Sequence, residues 1–148
     1  MRTLLLCFAF LLSFAAPSFA QPSNDAAALY GPWRGIWTGA GQPQSVYQGE
    51  MSLALGADNR VTGQINWMLV QAPTPELQAK VGARGVEYVE GVFDPETRSL
   101  ALEGVRLDDP SQILGVDIYR LVVGDSNTII LGLTRDGDSW TGRLEMTR

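Results

Sequence analysis

The amino-acid sequence predicts an all-β domain: an eight-stranded antiparallel up-and-down barrel with one short helix between the third and fourth strands. Two observations carry this. From Trp33 onward the dominant hydrophobic period is two, as in strands with one face buried. Val61-Thr62-Gly63-Gln64-Ile65-Asn66-Trp67 and Trp140-Thr141-Gly142-Arg143-Leu144-Glu145-Met146 alternate strictly. In addition, Gly35, Gly49, Gly63, Gly91, Gly104, Gly132 and Gly142 fall inside seven of the eight candidate strands. Glycine weakens a strand, so its recurrence marks a bend, a bulge or the close approach of another group. A small closed barrel needs such bends, because flat strands do not close. Glycines beside tryptophans also leave room for indole rings in a narrow interior. A β-sandwich is the alternative architecture.

The elements follow in order. Residues 25–30 suit one helical turn, which Gly31-Pro32 stops. Strands are expected at about 32–39, 45–55, 60–69, 85–93, 98–106, 116–123, 127–134 and 138–147. Most linkers carry turn chemistry, such as Gly56-Ala57-Asp58-Asn59, Asp94-Pro95-Glu96-Thr97 and Asp136-Gly137. Two connections are longer. Residues 71–84 read as a capped short helix running through Val81, and 108–115 as a polar loop around Pro110. Alternation places Trp37 and Trp67 inside and Arg34, Gln64, Arg143 and Glu145 in solvent.

Residues 1–20 combine one basic residue, Arg2, an apolar run and the small-residue site Pro17-Ser18-Phe19-Ala20, the three parts of a secretory signal peptide. The expected organisation is a signal peptide over 1–20, a leader over 21–31 and one barrel domain over 32–148. Cleavage after Ala20 removes Cys7, the one cysteine, and the chain has no histidine. A thiol-free, disulfide-free exported chain fits a periplasm or the outside medium. Losing Arg2 leaves ten basic against sixteen acidic residues, a net charge of −6. Without a basic cluster, neither nucleic acid nor an anionic membrane surface is an expected partner, and no membrane insertion is expected.

The segments Gly31-Pro32-Trp33 and Gly35-Ile36-Trp37 resemble the G-x-W that opens the first strand of lipocalins and avidins. The resemblance implies a calycin-like barrel, with a basic residue near the C-terminus, Arg143 or Arg148, packed over a first-strand tryptophan. It names no ligand: avidins follow G-x-W with x-Asn, where this chain has Thr38-Gly39 or Arg34-Gly35, so biotin binding is not implied.

With neither His nor mature Cys, the usual zinc ligand sets and the Ser-His-Asp and Cys-His catalytic arrangements are excluded. No cofactor is expected. Glu87 and Glu90 point to opposite faces of one strand; the inward one is expected at a rim, paired with Arg, the alternative being a buried acid with a raised pKa. No inward carboxylate pair is visible, and the chain is read as a non-enzyme. Lys80, the one lysine, is expected to pair with Glu76. The aromatic residues are the better lead. A binding cavity would be lined by Trp37, Trp67, Tyr88 and Trp140, with Tyr47 and Tyr119 nearby and residues 71–84 as cover. Arg120, on a face with Val116, Ile118 and Val122, is expected in an internal salt bridge or at a rim facing a ligand. The function expected is binding of a small apolar or amphipathic ligand in the barrel mouth. The alternative is an interaction or inhibitor module that binds an exported protein through loops on a filled barrel.

Overall fold

The computed structural model describes residues 28–136 and 139–148, and only the backbone of Trp140. The signal peptide expected over 1–20 and the start of the leader lie outside the described residues. Eight strands close into a barrel in sequence order: β1 (Pro32–Gly39), β2 (Val46–Leu55), β3 (Arg60–Gln71), β4 (Arg84–Asp94), β5 (Ser99–Asp108), β6 (Ile118–Val123), β7 (Ile129–Asp136) and β8 (Ser139–Thr147). Every neighbouring pair is antiparallel, and β1 closes on β8 with Trp37 opposite Leu144. The helix α1 (Pro75–Gln78) lies between β3 and β4. Thr74 caps it by accepting from the Leu77 amide, and it stops at Gln78, short of the expected Val81.

Side chains alternate across the wall, so Trp33, Met51, Ile65, Phe93, Leu102, Leu121, Ile130 and Leu144 meet inside, each at most 2% exposed. Each such side chain contributes roughly 1.5–3 kcal/mol on leaving water. The glycines divide into two groups. A Cβ on Gly35, Gly63, Gly91 or Gly132 would strike a carbonyl oxygen of the adjacent strand, on Glu145, Ser52, Ala101 and Arg120 respectively. These are the close approaches that let strands coil into a narrow barrel. A Cβ on Gly49 would instead stand 2.5 Å from the Trp67 indole, and one on Gly142 would meet both the Thr38 carbonyl oxygen and the Trp37 indole at 2.5 Å; these two make room for rings.

The two ends differ. At one end the turns are short and the interior is plugged. Ala28 and Leu29 are helical and buried, and Gly31, at φ 113°, turns the chain into β1. The Trp33 indole donates to the Leu29 carbonyl at 3.1 Å, and the Arg148 guanidinium lies 4.5 Å above the Trp33 ring. Arg148 thus takes the place expected of a C-terminal basic residue, while Arg143 pairs with Glu145 on the outer wall. At the other end open the long connections 72–83 and 109–117.

Candidate functional site

The site is built at the end that carries the long loops. β1 brings Trp37, β2 Tyr47, β3 Trp67, β4 Glu87 and β6 Tyr119, and these residues line a cavity of about 80 Å³. Ile113, Leu114, Gly115 and Asp117 from the β5–β6 loop form the rest of its wall. Tyr47 stands edge-on between the two indoles, 5.5 Å and 73° from Trp37 and 6.3 Å and 76° from Trp67. Such edge-to-face pairs add about 0.5–1.5 kcal/mol beyond the area they bury. A larger concavity of about 690 Å³ lies on the outer wall over β1 and β8, lined by residues such as Arg34, Ile36, Arg143 and Glu145. Its charges pair in solvent, Arg34 with Glu50 at 2.8 Å and Arg143 with Glu145 at 2.5 Å. Buried polar groups converge in the mouth and not in that groove.

Glu87 is the centre of the mouth and is 2% exposed. Its Oε2 accepts from the Tyr119 hydroxyl and, at 3.2 Å, from the Trp67 indole N–H. Its Oε1 accepts from the Asp117 amide at 3.3 Å. A Cβ on Gly104 would collide with Oε1, so the glycine of β5 makes room for this carboxylate. Burial raises the Glu87 pKa above its usual range, and the nearby Asp117 charge adds to the rise; the three donors oppose it. Burial likewise lifts the Tyr119 phenol well above 10.0, with the Glu87 charge reinforcing it.

A second polar chain runs along the other side of the mouth. The Trp37 indole N–H donates to Thr134 Oγ1 at 2.8 Å, Thr134 and Thr141 share a 2.8 Å hydrogen bond, and Thr141 donates to Asp117 Oδ1 at 2.8 Å. Because Thr141 spends its proton on Asp117, Thr134 is the donor between the two threonines. Asp117 also has a raised pKa, first through burial and then through the Asp136 charge. The mouth therefore holds two carboxylates, where the sequence had shown no inward pair.

The cover is the 109–117 loop, not 71–84. Asp109 Oδ2 accepts from the Ile113 and Leu114 amides, both at 2.6 Å, which folds the loop inward; Tyr47 then donates to the Ile113 carbonyl at 2.5 Å. Residues 71–84 touch this cover from outside: Lys80 Nζ donates to the Gln112 carbonyl at 3.3 Å instead of pairing with Glu76.

Of the residues expected to line the cavity, Trp37 and Trp67 are brought together, with Trp37 half-buried and Trp67 4% exposed. The side chain of Trp140 lies outside the described residues. Tyr88 is corrected to the outer wall, where the Arg106 guanidinium sits 3.5 Å above its ring. Both faces of β4 are rich in apolar residues, and the structure turns Gly85, Glu87, Val89 and Phe93 inward. Arg120 is corrected likewise: it is exposed, with Val116 and Val122, and donates to the Tyr119 carbonyl at 3.2 Å; it forms no internal salt bridge among the described residues. Glu87 is not a rim residue paired with Arg but a buried one held by Tyr119 and Trp67.

Among the described residues no group of three or more His, Cys, Asp or Glu is placed to hold a metal ion. No known protein family, curated protein or solved structure matches this chain.

Proposed function

We propose that this is an exported, calycin-like barrel that binds a small amphipathic ligand, head first, in the mouth beneath the 109–117 loop. The observation that carries the reading is a cavity walled by Trp37, Tyr47 and Trp67 in which two carboxylates converge. Its volume of about 80 Å³ lies far below the roughly 300–1,000 Å³ of pockets that enclose whole ligands. A head group enters, and the rest of the molecule lies in the opening unless the loop moves. The donors on Glu87 commit it to holding the site together, which supports binding over catalysis. Export follows from the tripartite leader. The interior is filled with apolar side chains where a membrane-spanning barrel is polar, and the outer wall carries charges at Arg34, Glu50, Arg143 and Glu145 beside exposed apolar residues such as Leu131 and Leu133; the filled interior supports a periplasmic or secreted protein.

The filling of the barrel below Glu87 favours a second reading, a loop-mediated interaction or inhibitor module. Tryptophan emission separates the two. Titration with a neutral apolar dye, N-phenylnaphthylamine, should quench or shift the emission and compete with the native ligand. Unchanged emission with every small molecule, together with a stable complex with an exported protein, would establish the second reading instead.

A further inference from the structure

We propose that the head group accepted by this mouth is an organic cation, a substituted ammonium held between the aromatic walls and the carboxylates of Glu87 and Asp117. This rests on the mouth-ligand reading above. None of the nine residues lining the cavity is basic, yet two of them are acidic. Six basic side chains are engaged away from the cavity. Arg148 covers Trp33 at the plugged end and Arg106 covers Tyr88 on the outer wall. Arg98 donates to the Val123 and Gly124 carbonyls, and Arg34 and Arg143 pair with Glu50 and Glu145. Lys80 reaches the 109–117 loop only from outside, at the Gln112 carbonyl.

The mouth therefore concentrates negative charge in a half-closed, low-dielectric place without an internal counter-ion among its lining side chains. A neutral ligand leaves that charge uncompensated, and an anion is repelled. The walls favour a cation independently. Trp37, Tyr47 and Trp67 line the cavity together, and an aromatic ring attracts a desolvated ammonium. Tyr119 and Trp67 donate to Glu87 from behind, which orients the carboxylate and partly opposes the effect of its burial.

The test compares three probes of one shape by tryptophan emission and calorimetry on the mature protein. Choline carries the ammonium, neohexyl alcohol replaces its nitrogen by carbon, and pivalate carries an anion. Choline should bind at least about ten-fold more tightly than neohexyl alcohol, and pivalate should not bind. Glu87→Gln, and separately the less buried Asp117→Asn, should each lower choline affinity toward that of the alcohol, with folding checked by near-ultraviolet circular dichroism. If the alcohol or pivalate matches choline, the cation inference is overturned while the mouth remains a binding site. If all three are silent but N-phenylnaphthylamine binds, the cation inference again falls alone. If the dye is silent as well, the mouth reading falls with it.

Discussion

The Tyr119 hydroxyl donates to Glu87 Oε2 across the barrel interior, from β6 to β4, in a place where both side chains are almost wholly buried. The two groups act on each other with opposite signs: burial and the carboxylate charge push the phenol up, so it remains a donor. The phenol in turn is the largest of the effects that pull the Glu87 pKa back down against burial. Tyr119→Phe should therefore raise the Glu87 pKa further. It should also destabilise the protein by about 1–3 kcal/mol, since a buried carboxylate loses a donor and nothing replaces it. Carbon-detected NMR titration of Glu87 and denaturant unfolding measure the two effects. A Glu87 pKa that falls would show that the hydroxyl does not serve the carboxylate.

Glu87 and its neighbour Asp117 set a pH dependence. Glu87 and Asp117 have folded-state pKa values raised above 4.5 and 3.8 respectively. The native state thus holds protons that the unfolded chain has released. Their contribution to stability is fully present below the unfolded values and is lost as pH rises through the raised folded ones. The melting temperature of the wild type relative to Glu87→Gln should fall over that window, because glutamine removes the titration but keeps the shape. Since other carboxylates such as Asp94, shifted downward, act with the opposite sign, the difference between the two proteins is the quantity to follow.

Gly104 offers a steric test of the mouth. A methyl there collides with Glu87 Oε1 and comes within 3.0 Å of Val116, whereas Gly115 has open space where its Cβ would be. Gly104→Ala should displace the carboxylate, weaken ligand response and cost on the order of 1–3 kcal/mol as overpacking. Gly115→Ala should leave folding and ligand response close to wild type. Equal behaviour of the two variants would mean that Glu87 has room to move.

The fold was legible because its signals were redundant. Alternation, turn chemistry and a glycine inside seven of the eight strands all point to a coiled antiparallel barrel, and the register of β1, β3 and β8 follows from the apolar alternation on each. Trp37 and Trp67 follow from those strands, while the arginine over Trp33 was implied only by the G-x-W resemblance, which left Arg143 and Arg148 both open. The site was only half legible because β4 and β6 carry apolar residues on both faces. Val86, Tyr88 and Val92 present as good an apolar row as Val89 and Phe93, so the sequence offers no reason to turn a glutamate inward. Gly104 is the trace of that choice, but a glycine opposite a buried carboxylate looks like any other barrel bend. Asp117 was hidden in the same way. It lies just before β6 in what reads as a polar loop, and it is held at the mouth by a threonine pair contributed by β7 and β8.

The final prediction concerns which loop closes the mouth. Length alone favours 71–84, yet that segment reaches the cover through the exposed Lys80 hydrogen bond to Gln112. The 109–117 loop is held from inside by Asp109, whose Oδ2 takes two amides at 2.6 Å while its Oδ1 is buried without a partner. A buried acceptor with one oxygen unsatisfied is costly by itself, so Asp109 persists because it shapes the loop. Removing it frees two amides and the hold on Ile113 that seats Tyr47. Asp109→Ala should increase acrylamide quenching of tryptophan emission and speed both entry and exit of a mouth ligand, at a stability cost of about 1–3 kcal/mol. Lys80→Ala should change none of these by more than roughly 0.5 kcal/mol, as expected of an exposed contact. If Lys80→Ala opened the mouth and Asp109→Ala did not, the cover would be the 71–84 segment after all.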